Sequence, residues 1–350
     1  MNTFTAPEID YVAIAPILIV AIAALLSVLT ETFLPRSVRR TVQILLTFLS
    51  LIGAFVVLVI NHSIRTITGG GAVAIDGPAI VLMGTILILS LLSAFLVAER
   101  SLDSLGDAFA PSASALPGSV DEREFSARGY FQTEIWTLFL FAVLGMLAFV
   151  VANDLLFMFV ALEVMSLPLY LMVGMARRRR LLSQEAALKY FVLGAFSSAF
   201  FIFGAGLVYG FAGSISLPEI HDALSASAGE TLLIVIGMAM LLVGLLFKVG
   251  AVPFHQWTPD VYQGAPTPVT AFMGATVKVA AFGAMMRLLY VAFSGIQWDW
   301  EIILWSVSIL SMIIGSLIAL TQSDIKRMLA YSAIAQSGFI LVGVVAASPS

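Results

Sequence analysis

Residues 232–290 read LLIVIGMAMLLVGLLFKVGAVPFHQWTPDVYQGAPTPVTAFMGATVKVAAFGAMMRLLY. The stretch opens as an apolar run able to cross a bilayer, sets Lys248 late in that run, and then breaks at Gly250 and Pro253. Backbone that stops being helical inside a membrane is tolerated only where protein or trapped water satisfies its freed groups. Here a lysine sits beside the break. After the polar segment 255–268 a second apolar run carries another lysine, Lys278. Two cations in such places require a reason.

Composition sets the class. Hydrophobic residues make up 60% and charged residues 11% of the 350-residue chain, against about 45–50% and about 25% in soluble domains. A water-soluble surface cannot be built from these residues, so the chain reads as an all-α polytopic membrane protein. It has no cysteine, which rules out disulfides, thiolate metal clusters and covalently attached haem. The net charge of −4 is too small and too thinly spread to argue for a nucleic-acid partner.

At about 20 apolar residues per helical span, the sequence predicts ten spans: 11–33, 41–60, 79–98, 131–151, 155–175, 186–211, 231–262 with the break inside it, 268–293, 301–321 and 328–347. The first is not a cleaved signal peptide, because it is too long and is preceded by Glu8 and Asp10 rather than by a basic segment. The mature chain is therefore expected to start here. Short cytoplasmic connections carry the excess of lysine and arginine. With the N-terminus outside, Arg36, Arg39, Arg40, Arg100, Arg123, Arg128, Arg177, Arg178, Arg179, Arg180, Lys326 and Arg327 all fall inside, and only Arg65 falls in an outside connection. Residues 101–130 mix small residues, proline and both charges. They are expected to form a mobile cytoplasmic loop without chemistry of its own.

Ionisable residues within spans are expensive and mark ion pathways. Glu163, in NDLLFMFVALEVMSLPLY, stands deep in the fifth span and just before Pro168, whose missing N–H leaves the carbonyl of Val164 unpaired. A carboxylate too short to reach water points to proton or cation handling; the plainer alternative is a protonated glutamate bonded to a neighbouring helix. For Lys248 and Lys278, reaching the interface would mean crossing about 15 Å of hydrocarbon, so both are candidates for function. Lys189 lies near the cytoplasmic end with Glu185 one helical turn before it, which suits an interfacial anchor as well as a pathway. Arg287 is read as an anchor near the outer boundary, Asn153 and Asp154 as helix caps, and His62 and His221 as loop residues without metal-ligand company. His255 follows the break and either passes protons or bonds the broken backbone. No phosphate-cradling loop, hydrolase triad, zinc signature or flavin site is present, and the glycines of GAGLVYG, Gly204, Gly206 and Gly210, suit helix–helix approach rather than nucleotide binding.

Three stretches, EAALKYFVLGAFSSAFFIFG (185–204), FKVGAVPFHQWTPDVYQGAPTPVTAF (247–272) and SDIKRMLAYSAIAQSGFILVG (323–343), resemble the subunit N family of NADH-quinone oxidoreductase, respiratory complex I. That family belongs to the wider class of antiporter-like subunits, which is similar to the multisubunit cation/proton antiporters. The resemblance covers most of the chain from Glu134 onward; the first three spans and the 101–129 loop are only generally similar. It implies two inverted five-helix repeats, each with a broken helix, after three leading helices. On that plan residues 1–100 are the leaders, 101–130 the loop, 131–293 the first repeat with a proton half-channel, and 301–350 the first two helices of a second repeat, which would be truncated at Ser350.

The resemblance also implies a role: a proton-translocating membrane-arm subunit of a translocase, driven by quinone reduction elsewhere. Glu163 would pair with Lys248, and Lys189 and Lys278 would continue a polar axis along the membrane. Related subunits often carry histidine at the position of Lys278, so a lysine there favours subunit N. The resemblance places no redox centre in this chain: flavin, iron–sulfur clusters, NADH and quinone would lie on other subunits. It names subunits M and K as neighbours and a bacterial cell membrane as the location. Two unit charges about 5 Å apart at an effective dielectric of about 20 attract by roughly 3 kcal/mol, against about 2.3 kcal/mol for moving one charge through 100 mV. Pairing with Glu163 is therefore expected to decide whether Lys248 keeps its proton or releases it toward Lys278. The alternatives are a subunit of a multisubunit cation/proton antiporter and a structural subunit whose lysines merely hold water.

Overall fold

The computed structural model describes residues 8–100, 107–111, 115–116, 118–127, 131–227 and 231–347. Much of the expected 101–130 loop, Arg128 included, and residues 348–350 lie outside the described residues. Among the described residues ten helices are long and apolar enough to cross a membrane, and the protein is a multi-pass, helical membrane protein.

In chain order, α1 (Ala15–Phe33) and α2 (Arg36–Ile60) lead to a hairpin of β1 (Thr66–Thr68) and β2 (Val73–Ile75), then α3 (Gly77–Ala98) and the short α4 (Val120–Ala127). Next come α5 (Glu134–Val151), α6 (Leu155–Val173), α7 (Arg180–Ala212), the short α8 (Leu217–Ala226) and α9 (Leu232–Val249). Beyond the break lie α10 (Trp257–Gly264), α11 (Thr267–Phe272), α12 (Lys278–Arg287), α13 (Gln297–Leu320) and α14 (Ile325–Ala346). π-helical turns at Met273–Val277 and Leu288–Ala292 flank α12, so α11, α12 and both turns make one span.

Several helices begin earlier than the apolar run predicts. α2 starts at the exposed Arg36, whose stem can lie along apolar surface with its head in the interface, and α7 at Arg180, which is buried and donates to Ala115 O at 2.9 Å. The 33 residues of α7 give a helix about 50 Å long, well beyond the about 30 Å of hydrocarbon, so its ends stand in the polar zones. α5, α6 and α9 form the buried centre. α7 closes on α9 where Gly204 faces Gly237: a Cβ on Gly204 would lie 2.7 Å from the Gly237 carbonyl. Gly206 meets nothing within 4 Å, so of the GAGLVYG glycines Gly204 carries the close approach.

The hairpin was not anticipated, and it changes the role of one residue. Asp154 caps α6 as predicted, its carboxylate accepting from Phe157 N at 2.6 Å. Asn153 does not cap; it is stapled to the hairpin, its amide N–H donating to Ala72 O (2.8 Å) and its side chain to Gly71 O (2.9 Å). Residue 153 stands one place too early to reach the free amides of α6. His221 lies on α8 rather than in a loop, with Nδ1 3.0 Å from Ser294 Oγ.

Within the expected 101–130 loop, residues 107–110 are docked against the end of α6. Ala110 N donates to Met175 O and Arg177 N to Ala108 O, each at 2.9 Å. The Arg177 guanidinium meets Asp107 at 2.7 Å, with the two side chains only 8% and 6% exposed.

Candidate functional site

The site begins at the break. Gly250 adopts φ 71°, the left-handed region open to glycine. Gly250 N donates to Phe247 O and Ala251 N to Leu246 O, both at 3.0 Å, the paired bonds of a Schellman ending. The remaining freed groups find side chains from elsewhere. Val252 N donates to Ser311 Oγ of α13 (2.9 Å), Phe247 O accepts from Trp257 Nε1 (2.9 Å), and Val249 O accepts from Ser337 Oγ of α14 (2.9 Å). Protein satisfies the interrupted backbone, as a dry environment demands.

Lys248, in the last turn of α9, is 2% exposed. Its Nζ donates to Ser166 Oγ at 2.5 Å and to Tyr170 Oη at 3.4 Å. The rings of Tyr170, Tyr190 and Phe247 stand 5.4, 5.8 and 5.9 Å from it, within cation–π range. Ser166 donates its own proton to Leu162 O, which leaves its lone pairs turned to the ammonium. Glu163 is half-buried and accepts from Ser198 of α7. The expected Glu163–Lys248 pair is therefore not in contact: hydroxyl oxygens on the same face of α6 hold the lysine instead. That signal was in the sequence, since 163, 166 and 170 recur at helical spacing.

Lys278 is 9% exposed at the start of α12, directly after a π turn. Its Nζ donates to Ala333 O (2.6 Å) and Ser337 Oγ (2.7 Å) on α14. Ser337 thus touches both the second lysine and the carbonyl next to the first. Its single proton goes to Val249 O or to Ala333 O, each at 2.9 Å.

Lys189 belongs to a different neighbourhood. Its side chain is 44% exposed and bonds Glu185 (2.7 Å), the partner the sequence proposes, and also Asp260 (2.8 Å). Asp260 in turn receives Arg327 at 2.5 Å, which also reaches Gln263 (3.2 Å). Asp324 caps α14 and accepts from Gln263 (3.2 Å). Burial opposes the charge of Asp324, but hydrogen bonds from the Arg327 amide, Gln263 and the Lys326 amide, with Arg179 nearby, outweigh it and hold the carboxyl below its usual range. His255 is half-buried, its ring 6.4 Å from that of Tyr331, and its buried Nδ1 has no hydrogen-bond partner among the described residues.

Arg287 is not an interfacial anchor. It is 8% exposed and grips both carboxylate oxygens of Asp76 at 2.8 Å, while its Nε donates to Val150 O at 3.1 Å. Asp76 also caps α3 through Ala79 N (2.8 Å). No group of three or more His, Asp or Glu among the described residues could hold a metal.

Ten apolar helices, with buried lysines beside the break between α9 and α10, make the class that of an antiporter-like membrane subunit. The profile of the family described as NADH:quinone oxidoreductase/Mrp antiporter, TM, matches residues 152–349, and the chain belongs to that family. Its curated relatives are named NADH-quinone oxidoreductase subunit N. The protein of that name from Parafrankia sp. (strain EAN1pec) is 55% identical over 97% of this chain and 65% of its own length; that from Rhodococcus opacus (strain B4) is 54% identical over 99% and 68%. The chain therefore spans about two thirds of the length of these relatives. A chain of respiratory complex I from Thermus thermophilus superposes with a TM-score of 0.73 at 34% identity, covering 94% of this chain and 64% of that one.

Proposed function

We propose that this chain translocates protons as part of a membrane-arm subunit of NADH-quinone oxidoreductase, using energy released by quinone reduction in other subunits. One observation carries the reading: Lys248 and Lys278 are both buried within apolar helices and bonded only to neutral groups, and Ser337, which holds Lys278, also bonds the backbone carbonyl next to Lys248. Neither ammonium has a carboxylate in contact, so any movement that brings Glu163 to Lys248, or takes it away, changes the electrostatic balance at that lysine.

Protons enter from the side of Lys189 and His255, pass to Lys248 under the control of Glu163, and move on to Lys278. Residues 1–100 serve as leading helices, 131–293 as a first repeat with this half-channel, and 301–350 as the start of a second. The N-terminus lies outside a bacterial cell membrane. Subunits M and K are neighbours, and flavin, iron–sulfur clusters, NADH and quinone sit on other chains. The names of the relatives favour this reading over a cation/proton antiporter.

The test is proton uptake by inverted vesicles carrying the assembled complex. Glu163→Gln, Lys248→Ala and Lys278→Ala should each sharply reduce NADH-driven acidification at normal complex abundance. Lys189→Ala should do less, because water reaches its exposed side chain. Normal pumping by assembled Lys248→Ala would overturn the proposal.

A further inference from the structure

Two arginines that the pathway does not use meet at one ring. Arg40 Cζ lies 5.0 Å and Arg100 Cζ 4.5 Å from the centroid of Phe131. Arg40, in the second turn of α2, donates to Ala98 O at the end of α3 (2.9 Å). The Arg100 guanidinium makes no hydrogen bond or ion pair among the described residues, although each guanidinium carries five N–H donors.

The nearby carboxylates are occupied. Asp107, whose field reaches Arg40, has its Oδ1 on Arg177 at 2.7 Å. Glu99 accepts from the Arg100 backbone amide at 2.8 Å. Arg39 next door is engaged by Glu31 at 3.5 Å and by Leu34 O at 2.6 Å. Two like charges thus share an aromatic platform with their hydrogen-bonding capacity largely unspent.

Their depth tells what fits. The C-terminus of α3, the start of α2 and the approach to α5 meet here, at the membrane face that also bears Arg177, Lys326 and Arg327. Just within it, Leu92, Phe95 and Leu96 on the last two turns of α3 are exposed apolar side chains. A phosphate at the arginines would therefore have an apolar wall beneath it for attached hydrocarbon. Guanidinium forks match phosphate oxygens two at a time, and basic sites between helices at this level suit anionic lipid headgroups.

We propose that Arg40 and Arg100, gathered at Phe131, bind the phosphodiester of an anionic phospholipid whose chains lie along α3. The test uses the purified full chain in nanodiscs of phosphatidylcholine with a minority of phosphatidylglycerol, with co-purifying lipid counted by native mass spectrometry. Wild type should retain phosphatidylglycerol in preference to phosphatidylcholine. Arg100→Gln breaks no side-chain hydrogen bond among the described residues, so it should fold normally and lower the preference by roughly fivefold. R40Q/R100Q should abolish it, and R65Q, on the opposite face, should leave it intact. Equal preference in wild type and R100Q would overturn the site, as would no preference in wild type. Inorganic phosphate alone, added in lipid-free detergent, is the second arm: retention that needs both arginines would assign the ring to a free oxyanion and overturn the lipid.

Discussion

Ser337→Ala removes the hydroxyl that touches both Lys278 and the backbone carbonyl next to Lys248. Lys278 Nζ would keep Ala333 O at 2.6 Å but lose Ser337 Oγ at 2.7 Å, and whichever of Val249 O and Ala333 O takes the hydroxyl proton would lose that donor at 2.9 Å. A hydrogen bond to a charged group contributes about 1.5–3 kcal/mol, and a buried acceptor left bare costs about 1–3 kcal/mol. The volume change is small, so assembly should survive. If the Lys248-to-Lys278 transfer runs through this hydroxyl, losing the charged bond in the transition state slows it by at most about tenfold to a hundredfold, at about 1.4 kcal/mol per factor of ten. The assay is the ratio of proton uptake to NADH oxidation in inverted vesicles, with complex abundance measured in parallel. Ser337→Thr, which keeps a hydroxyl, should restore most of the loss. Undiminished uptake in assembled Ser337→Ala would refute the reasoning, since water or another route would then join the lysines.

Arg287→Ala should destabilise the protein by about 2 kcal/mol, the low end for a buried charge pair, because the side chain of Arg287 is buried but that of Asp76 is 42% exposed. In thermal unfolding the double variant with Asp76→Ala should lose less than the sum of the single losses; strict additivity would mean the pair is not coupled. Gly250→Ala should cost about 1–2 kcal/mol from the left-handed backbone alone, and its Cβ would press 2.7 Å from Thr258 Oγ1. An unchanged unfolding midpoint for Gly250→Ala would show that the turn at the break is held some other way.

The spans and the break were legible because they are local. An apolar run of membrane length, a Gly–Pro interruption and a lysine beside it are all visible within a short window, as is the Glu185–Lys189 turn. The partners were not legible, because they come from far along the chain: Arg287 and Asp76 are 211 positions apart, Lys278 and Ser337 59. A buried charge announces that it needs a partner but not which one. Reading Glu163 as the contact of Lys248 assumed that an ammonium needs a carboxylate, whereas the hydroxyls of Ser166 and Tyr170 meet its donors here. The strands at Thr66–Thr68 and Val73–Ile75 were too short to register as a pattern, and composition carries no trace of a π turn.

The 10-residue α12 is restrained mechanically in an uneven way. Its first and last residues stand about two and a half turns apart, so Lys278 and Arg287 grip neighbours on nearly opposite sides: α14 through Ala333 and Ser337, and α3 with α5 through Asp76 and Val150. Rolling the helix about its own axis would tear both grips at once. Just outside each grip lies a π turn, where the bonding pattern is already loosened from that of the regular helix. Compliance is thus concentrated in two joints while torsion is blocked, so α12 can rock about its ends like a strut but cannot turn like a shaft. A push on α12 from a neighbouring helix would on this geometry change the lean of Lys278 toward the break more readily than the direction it faces.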